Sequence, residues 1–307
     1  HWRDFSDRVM DHFKRRGYNI RKVTVPFWEI TPELINTYNA DIAFIPHKQH
    51  FQFAAANCQV YFYMQVIFKW LFSCDYRGWS SEHSKYPCDY SMGDAASSTY
   101  DEYKEKLMSS NSSKFNQPST VSRKGLVINR EIPDDDYIFF PCQLPYDESI
   151  EYHSVYTEIE VISALVSWAK AHRVNIVFKA HPGKPESCLL FRKIAYGRNM
   201  YWSDASIHDL INHAKAVYTI NSGVGFEAMF YNKPIVTFGR IEYDAVTIHA
   251  SLDNLSEVWH RVKKDNRSDR LNRYRKFVDW YCKHCCVDLE SNRDVIDRVL
   301  ESIFKKQ

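Results

Sequence analysis

Four short apolar runs, DYIFF (136–140), NIVF (175–178), AVYTI (216–220) and PIVTF (234–238), constrain this chain more than any other feature. Each is rich in β-branched or aromatic residues and too short for a buried helix, which reads as a strand covered on both faces. Helix patterns separate them. TEIEVISALVSWAKAH (157–172) is amphipathic, SIHDLINHA (206–214) opens on a capping serine, and FEAMFYN (226–232) follows a glycine turn. Such alternation predicts parallel βα units, so the second half is expected to be α/β and doubly wound.

The first half carries a similar rhythm. Residues 3–16 read as a helix, IRKVTV (20–25) as a strand, and TPELINTY (31–38) as a helix with a threonine cap followed by proline. ADIAFIP (40–46) and NCQVYFYMQ (57–65) read as further strands. CDYRGWSSEHSKYP (74–87) reads as a long loop, 97–109 as a helix, and SSNSSKFNQPSTVSRKG (109–125) as a polar connector. With 307 residues, roughly two domains are expected. They are 1–131 and 132–307, two Rossmann-like domains facing a cleft, with charged helices from 253 onward. In such sheets ligands sit beyond the carboxyl ends of the strands.

Composition excludes several classes. A net charge of +2 with interspersed signs gives no field for nucleic acid. The most hydrophobic stretch, VYFYMQVIFKWLF (60–72), is shorter than the ~18–20 residues of a membrane span and contains Gln65 and Lys69. The opening HWRDFSDRVM shows neither a signal-peptide h-region nor an initiator methionine, which leaves a missing targeting segment open. Eight cysteines without an export signal read as free thiols. The cluster Cys282, Cys285, Cys286 and His284 lacks the second half of a zinc site, so no metal is expected.

Three strand ends carry unusual chemistry. In KAHPGKPE, Lys179, His181 and Pro182 follow the strand; proline holds the histidine extended, where it serves either as a phosphate donor or as a capping residue of a surface turn. In NSGVGFEA (221–228), Asn221, Ser222, Gly223 and Gly225 form the turn and Glu227 lies one helical turn inward. That turn reads either as an anion cradle with a carboxylate for ribose, or as tight strand–helix packing. It matches neither GxGxxG nor the P-loop. In PCQLPYDESI, Gln143 precedes Asp147, which reads as a helix cap or as a base or nucleophile.

QLPYDESI (143–150), FKAHPGKPES (178–187) and AVYTINSGVGFEAMFYNKPIVTFGRIEYD (216–244), in this order, resemble the capsule polysaccharide biosynthesis proteins that act as β-Kdo glycosyltransferases. The resemblance covers about residues 136–245. It implies a GT-B-like fold and retaining transfer of Kdo or a related ulosonic acid from a CMP-activated donor to a glycan or glycolipid. It also implies that Asp147 is the nucleophile, that His181 and Pro182 meet the CMP phosphate, and that Ser222, Gly223, Gly225 and Glu227 form the nucleotide-binding turn. After Asp244 the sequence AVTIHA departs from the proline-glycine continuation of the family, which leaves donor and linkage open.

A CMP-sugar releases one phosphate monoester, which Lys179, His181 and a helix N-terminus could stabilise without metal or cofactor. The acceptor side is expected on the first domain, with His47, Asp75, Arg77, Trp79, Glu82 and His83 as candidates, against a loop packing on its own domain. Two other functions fit the sequence: a GT-B transferase with another donor or an inverting mechanism, and a non-catalytic carbohydrate-binding subunit. The chain is expected at the cytoplasmic side, where RYRKFVDWYCKH (273–284) and IFKK (303–306) either touch the inner membrane face or pack as amphipathic helix.

Overall fold

The computed structural model describes residues 1–111, 113–144, 146–291 and 293–304. The chain divides into two compact units, one of residues 1–89 with 280–307 and one of residues 90–279. This differs from the expected boundary at 131/132 for two reasons. The helix Thr99–Ser110 belongs with the second unit: Tyr100 lies 5.2 Å from Phe230 ring to ring, and its hydroxyl donates to Met229 O at 2.7 Å. The end of the chain, in turn, returns to the first unit as a strand.

The first unit holds β1 (Ile42–Pro46), β2 (Gln59–Gln65), β3 (Leu71–Asp75) and β10 (Cys286–Asp288), in the order β1-β2-β3-β10. Only β1 and β2 run parallel; β3 is antiparallel to both β2 and β10. The expectation of purely parallel pairing in the first half is therefore corrected. The stretch 60–72 folds back on itself, with Val66 N donating to Leu71 O at 2.8 Å, because Lys69 and Trp70 form the turn of a hairpin.

Helix Trp2–Lys14 packs Phe5, Val9 and Phe13 on one face of this sheet against Tyr61, Tyr63 and Phe72. Ile35, Ile45, Phe53, Val60 and Phe62 cluster on the other. The segment IRKVTV forms no strand. Its residues are largely exposed and no neighbouring strand pairs with them, so β propensity alone does not make a ladder.

The second unit is the doubly wound sheet read from the sequence. Its strands are β4 (Tyr137–Pro141), β5 (Asn175–Lys179), β6 (Met200–Trp202), β7 (Ala216–Thr219), β8 (Ile235–Thr237) and β9 (Ile248–His249). All pairings are parallel, in the order β6-β5-β4-β7-β8-β9. Alternate residues of β4 face opposite layers. Ile138 and Phe140 meet Val161, Ile162 and Leu165 of helix Glu158–His172, while the Tyr137 hydroxyl donates to Leu210 O at 2.8 Å in helix Ile207–His213. Helix Glu158–His172 starts on a capping box between Thr157 and Glu160, as its sequence predicts.

Chain order reverses between β4 and β7. That reversal opens a crevice at the carboxyl ends of these two strands, the place where open α/β sheets bind ligands. Residues 141–144, 146–147 and 220–223 emerge there.

The long helix Arg267–Cys285 contains the RYRKFVDWYCKH segment, whose Tyr274, Phe277, Val278, Trp280 and Tyr281 are buried. Its aromatic face is core, so the expected membrane contact loses that face; IFKK runs into residues outside those described. Among the described residues no helix is long and apolar enough to cross a membrane.

Candidate active site

The crevice between β4 and β7 is closed at its base by a pair of amides. Gln143 Nε2 donates to Asn221 Oδ1 at 3.1 Å, and Asn221 N donates to Gln143 Oε1 at 3.2 Å. Gln143 Nε2 also lies 3.1 Å from Ser149 Oγ and 3.4 Å from Asp147 Oδ2. Its own N–H donates to Glu158 Oε1 at 2.7 Å, while Asn221 Nδ2 donates to Ser149 O. Burial holds the Glu158 carboxyl up to about 8, partly offset by that backbone hydrogen bond. Gln143 and Asn221 are thus committed to each other and to their neighbours. Expected as donor-binding residues, they instead position the loop that carries Asp147.

Asp147 caps helix Glu148–His153: Oδ1 accepts from Ser149 N at 2.9 Å and from Ser149 Oγ at 2.6 Å. Among the described residues, Oδ2 accepts only the long hydrogen bond from Gln143. The cap reading of Asp147 thus rests on Oδ1 and leaves Oδ2 outside the cap. Tyr146 before it has φ +58° and is 96% exposed, a left-handed conformation unusual for a non-glycine residue. Pro145 of the same motif lies outside the described residues.

Beyond β5 the two predicted cationic groups part company. Lys179 Nζ donates to Asp204 O (3.1 Å) and Ala205 O (2.7 Å), and burial lowers its pKa. It fastens the segment leaving β6, which corrects the expectation that it meets a phosphate. His181 remains at the strand ends. Its Nδ1 accepts from Gly183 N at 3.1 Å, and its ring meets Phe115 edge-on at 5.0 Å. Burial lowers its pKa; the Asp147 charge opposes that shift and the Lys114 charge adds to it. A neutral ring accepting at Nδ1 carries its proton on Nε2, so His181 presents a donor. Pro182 beside it is exposed.

The NSGVGFEA turn answers to packing more than to an anion. Ser222 N donates to Thr219 Oγ1 (3.0 Å), Val224 N to Ser222 Oγ (3.3 Å), and Gly225 N to Ser222 O (3.0 Å). With these donors occupied, the expected N–H cradle is not preformed. At Gly225 a Cβ would lie 2.6 Å from Tyr243 Cζ, so this glycine admits an aromatic ring and not a ligand. Gly223 differs: a Cβ there would meet nothing within 4 Å.

Glu227, 3% exposed, accepts from Ser113 Oγ at 2.8 Å through Oε1, while its Oε2 is buried with no hydrogen-bond partner among the described residues. Burial pushes its carboxyl up to about 7, the Ser113 hydrogen bond and the Lys114 charge acting against that rise.

Lys114 was not foreseen from the sequence. Residues 109–125 have no period and read as a connector, yet the part around 111–121 crosses the strand ends. Lys114 there feels the charges of Glu242, Asp147 and Glu227, and burial lowers its pKa. The only clue in the sequence was a lysine followed by an aromatic residue in an otherwise small and polar stretch. Close by, the helix that Asp147 caps also borders an open pocket of about 250 Å³ at the carboxyl ends of β8 and β9, where His153, Arg240 and His249 are found.

The acceptor-side candidates lie in the first unit and mostly serve their own loop. Asp75 Oδ1 accepts from Arg77 N and Ser84 N, both at 2.9 Å, and Oδ2 accepts from Ser84 Oγ at 2.6 Å. His83 is buried, its pKa lowered to about 4 by desolvation, and its Nδ1 accepts from Lys85 N at 3.1 Å. His47, with φ +57°, packs against Trp2, Phe27 and the buried Trp79. Glu82 closes a short turn, with its N–H donating to Trp79 O at 3.1 Å, and Arg77 is exposed. All eight cysteines are free.

A doubly wound sheet with ionisable side chains at its switch point places a candidate ligand site where open α/β sheets carry one. The capsule polysaccharide biosynthesis protein family matches residues 96–276, well over half of the chain, and the chain belongs to that family. The match begins near the start of the second unit and spans every second-unit strand-end residue described above.

Over 123 residues the chain is 32% identical to the capsule polysaccharide export protein KpsS of Escherichia coli, covering 36% of this chain and 32% of that protein. Over 111 residues it is 29% identical to protein FixF of Sinorhizobium fredii, covering 35% and 27%. The matched segment thus spans less than a third of the length of these curated relatives. Among solved structures, the β-Kdo 2,4 transferase of Thermosulfurimonas dismutans KpsC is similar over 77% of this chain and 78% of that one, at 15% identity and a TM-score of 0.55. That likeness shows a shared fold, GT-B-like with two α/β units.

Proposed function

We propose that the chain is a glycosyltransferase of surface polysaccharide synthesis that moves Kdo or a related ulosonic acid from a CMP-activated donor to a glycan or glycolipid, with Asp147 as nucleophile and retention of configuration. The observation that carries this reading is the placement of Asp147. It sits at the switch point with Oδ1 tied into the helix cap and Oδ2 held by one long hydrogen bond from Gln143, and its charge acts on His181.

In the reaction, Asp147 Oδ2 attacks the anomeric carbon as its bond to the phosphate oxygen breaks, and CMP leaves with the electron pair. The acceptor hydroxyl then attacks the same carbon from the other side. The carboxylate departs, the hydroxyl proton goes to a base, and two inversions give net retention. The anomeric carbon of a keto acid is quaternary, which favours oxocarbenium character and capture by a fixed carboxylate. The Nε2–H of His181 is suited to the leaving phosphate. The chain works on the cytoplasmic side, where nucleotide sugars are found, and the reading invokes no cofactor.

Incubation of the intact protein with CMP-Kdo, followed by peptide mass spectrometry, tests this. An ulosonic acid adduct on Asp147, and loss of transfer in Asp147→Ala with CMP binding retained, are expected; undiminished turnover in that variant refutes the nucleophile. A second reading has one observation in its favour, the sequence match to a protein named for export. A non-catalytic carbohydrate-binding subunit binds glycan in calorimetry and shows no affinity for CMP.

A further inference from the structure

The segment between helix Thr99–Ser110 and helix Arg123–Ile128 is fixed in place at several points. Asn111 Oδ1 accepts from Ser206 Oγ (3.1 Å), and Asn111 Nδ2 donates to Pro118 O (2.9 Å). Gln117 Oε1 accepts from Ile207 N (2.9 Å), and Val121 N donates to Asp209 Oδ2 (2.7 Å). Three consecutive residues of this strap then meet the strand-end groups. Ser113 hydrogen-bonds Glu227, Phe115 abuts the His181 ring, and Lys114 lies between them. The charges that act on Lys114 are those of Glu242 and Asp147 from the loops after β8 and β4 and of Glu227 from helix Val224–Phe230, and the Lys114 charge acts in turn on His181 in the loop after β5.

This arrangement has an electrostatic imbalance. The charges of three carboxyl groups act on one lysine, and one of them, Glu227, keeps an oxygen buried with no hydrogen-bond partner among the described residues. An anionic ligand entering here needs positive charge. Lys179 is tied to the carbonyls of Asp204 and Ala205, and the N–H groups of Ser222, Val224 and Gly225 are engaged within their own turn. Lys114 is the cation that the strap delivers to the place.

We propose that Lys114, carried over the carboxyl ends of the second-unit strands by the pinned segment 111–121, is the residue that grips the anionic group of the sugar donor. This rests on the reading of the site as one for an anionic activated sugar. The group gripped is the nucleotide phosphate or the ulosonic acid carboxylate, since both offer charged oxygens to an ammonium. Arrival of the ligand draws Lys114 away from its carboxylates. The strap, a polar connector by sequence, is then a functional part of the site.

Calorimetry on the full chain separates the possibilities, with CMP, cytidine and free Kdo as probes against wild type, Lys114→Ala and Lys114→Arg. A charge-assisted contact is worth about ten- to hundredfold in affinity. Lys114→Ala is expected to weaken CMP by that factor and leave cytidine unchanged if the phosphate is gripped. It weakens Kdo and spares CMP if the carboxylate is gripped. In both cases Lys114→Arg restores most of the affinity, and the loss shrinks as salt is raised.

Equal weakening of CMP and cytidine would mean that Lys114 merely supports the strap, and unchanged affinity for both CMP and Kdo would mean that it does not touch the ligand; either overturns the proposal. A wild-type protein that binds none of the three probes instead overturns the CMP-sugar reading itself.

Discussion

Replacing Glu227 by glutamine removes an ionisable group from the interior while keeping its shape and its acceptor for Ser113. The consequence can be worked out from the site. The carboxyl is 3% exposed and titrates at about 7 in the folded chain, against an ordinary 4.5. Below the ordinary value both folded and unfolded chains hold the proton, and Glu227 adds no pH dependence. As pH rises the unfolded chain releases the proton first, so the native state loses stability until the folded carboxyl has also ionised.

The loss is about 1 kcal/mol at pH 5, about 2 at pH 6, and about 3 at pH 7 and above. Glu227→Gln lacks this slope. Its absolute stability also reflects an amide placed where Oε2 had no partner, which costs about 1–3 kcal/mol at every pH. The discriminating quantity is therefore the difference between the two proteins as a function of pH. Urea unfolding of both at half-unit steps from pH 5 to 8 should show the variant gaining about 2 kcal/mol on the wild type across that window. Parallel curves would refute the assignment of Glu227 as a buried acid that shares its surroundings with Lys114.

Two further substitutions test the local roles given above. Gly225→Ala places a methyl group against the buried Tyr243 ring and should lower stability by about 1–3 kcal/mol, read as a drop in melting temperature; an unchanged melt denies the packing role. Asp75→Ala leaves Arg77 N, Ser84 N and Ser84 Oγ without their acceptor and should destabilise the first unit by about 2 kcal/mol or more, with CMP affinity unaltered. Lost CMP affinity in a folded Asp75→Ala protein would restore the residue to the binding site.

The second unit was readable because its strands are short, apolar and regularly interrupted, a pattern that parallel βα packing imposes and little else satisfies. Thr157, Glu160 and Ser206 marked their helix starts correctly for the same local reason. What failed was every feature set by a distant partner. IRKVTV has strand composition, but a strand exists only against a neighbour, and none pairs with it. β10 is three residues of an otherwise helical tail, CVD, that become a strand only beside β3.

Destinations of side chains were equally hidden. A lysine at the end of a buried strand and a lysine in a structureless connector look like ligand and linker, yet Lys179 ends on two backbone carbonyls and Lys114 within the field of three carboxyl groups. Gly223 and Gly225 sit two residues apart in one motif; only the fold shows that Gly225 faces a tyrosine ring and Gly223 open space.

The first sheet is completed by β10, which the ribosome makes only after the whole second unit has been synthesised. During synthesis, β3 therefore waits with a bare edge and the core around Phe5, Phe72, Val287, Ile296 and Leu300 stays unfinished until residues 286–300 emerge. The second unit, continuous from 90 to 279, has no such wait. The first unit, begun before the second, is thus sealed after it, and a nascent chain stalled near residue 280 exposes the unpaired edge of β3 to chaperones or to other chains.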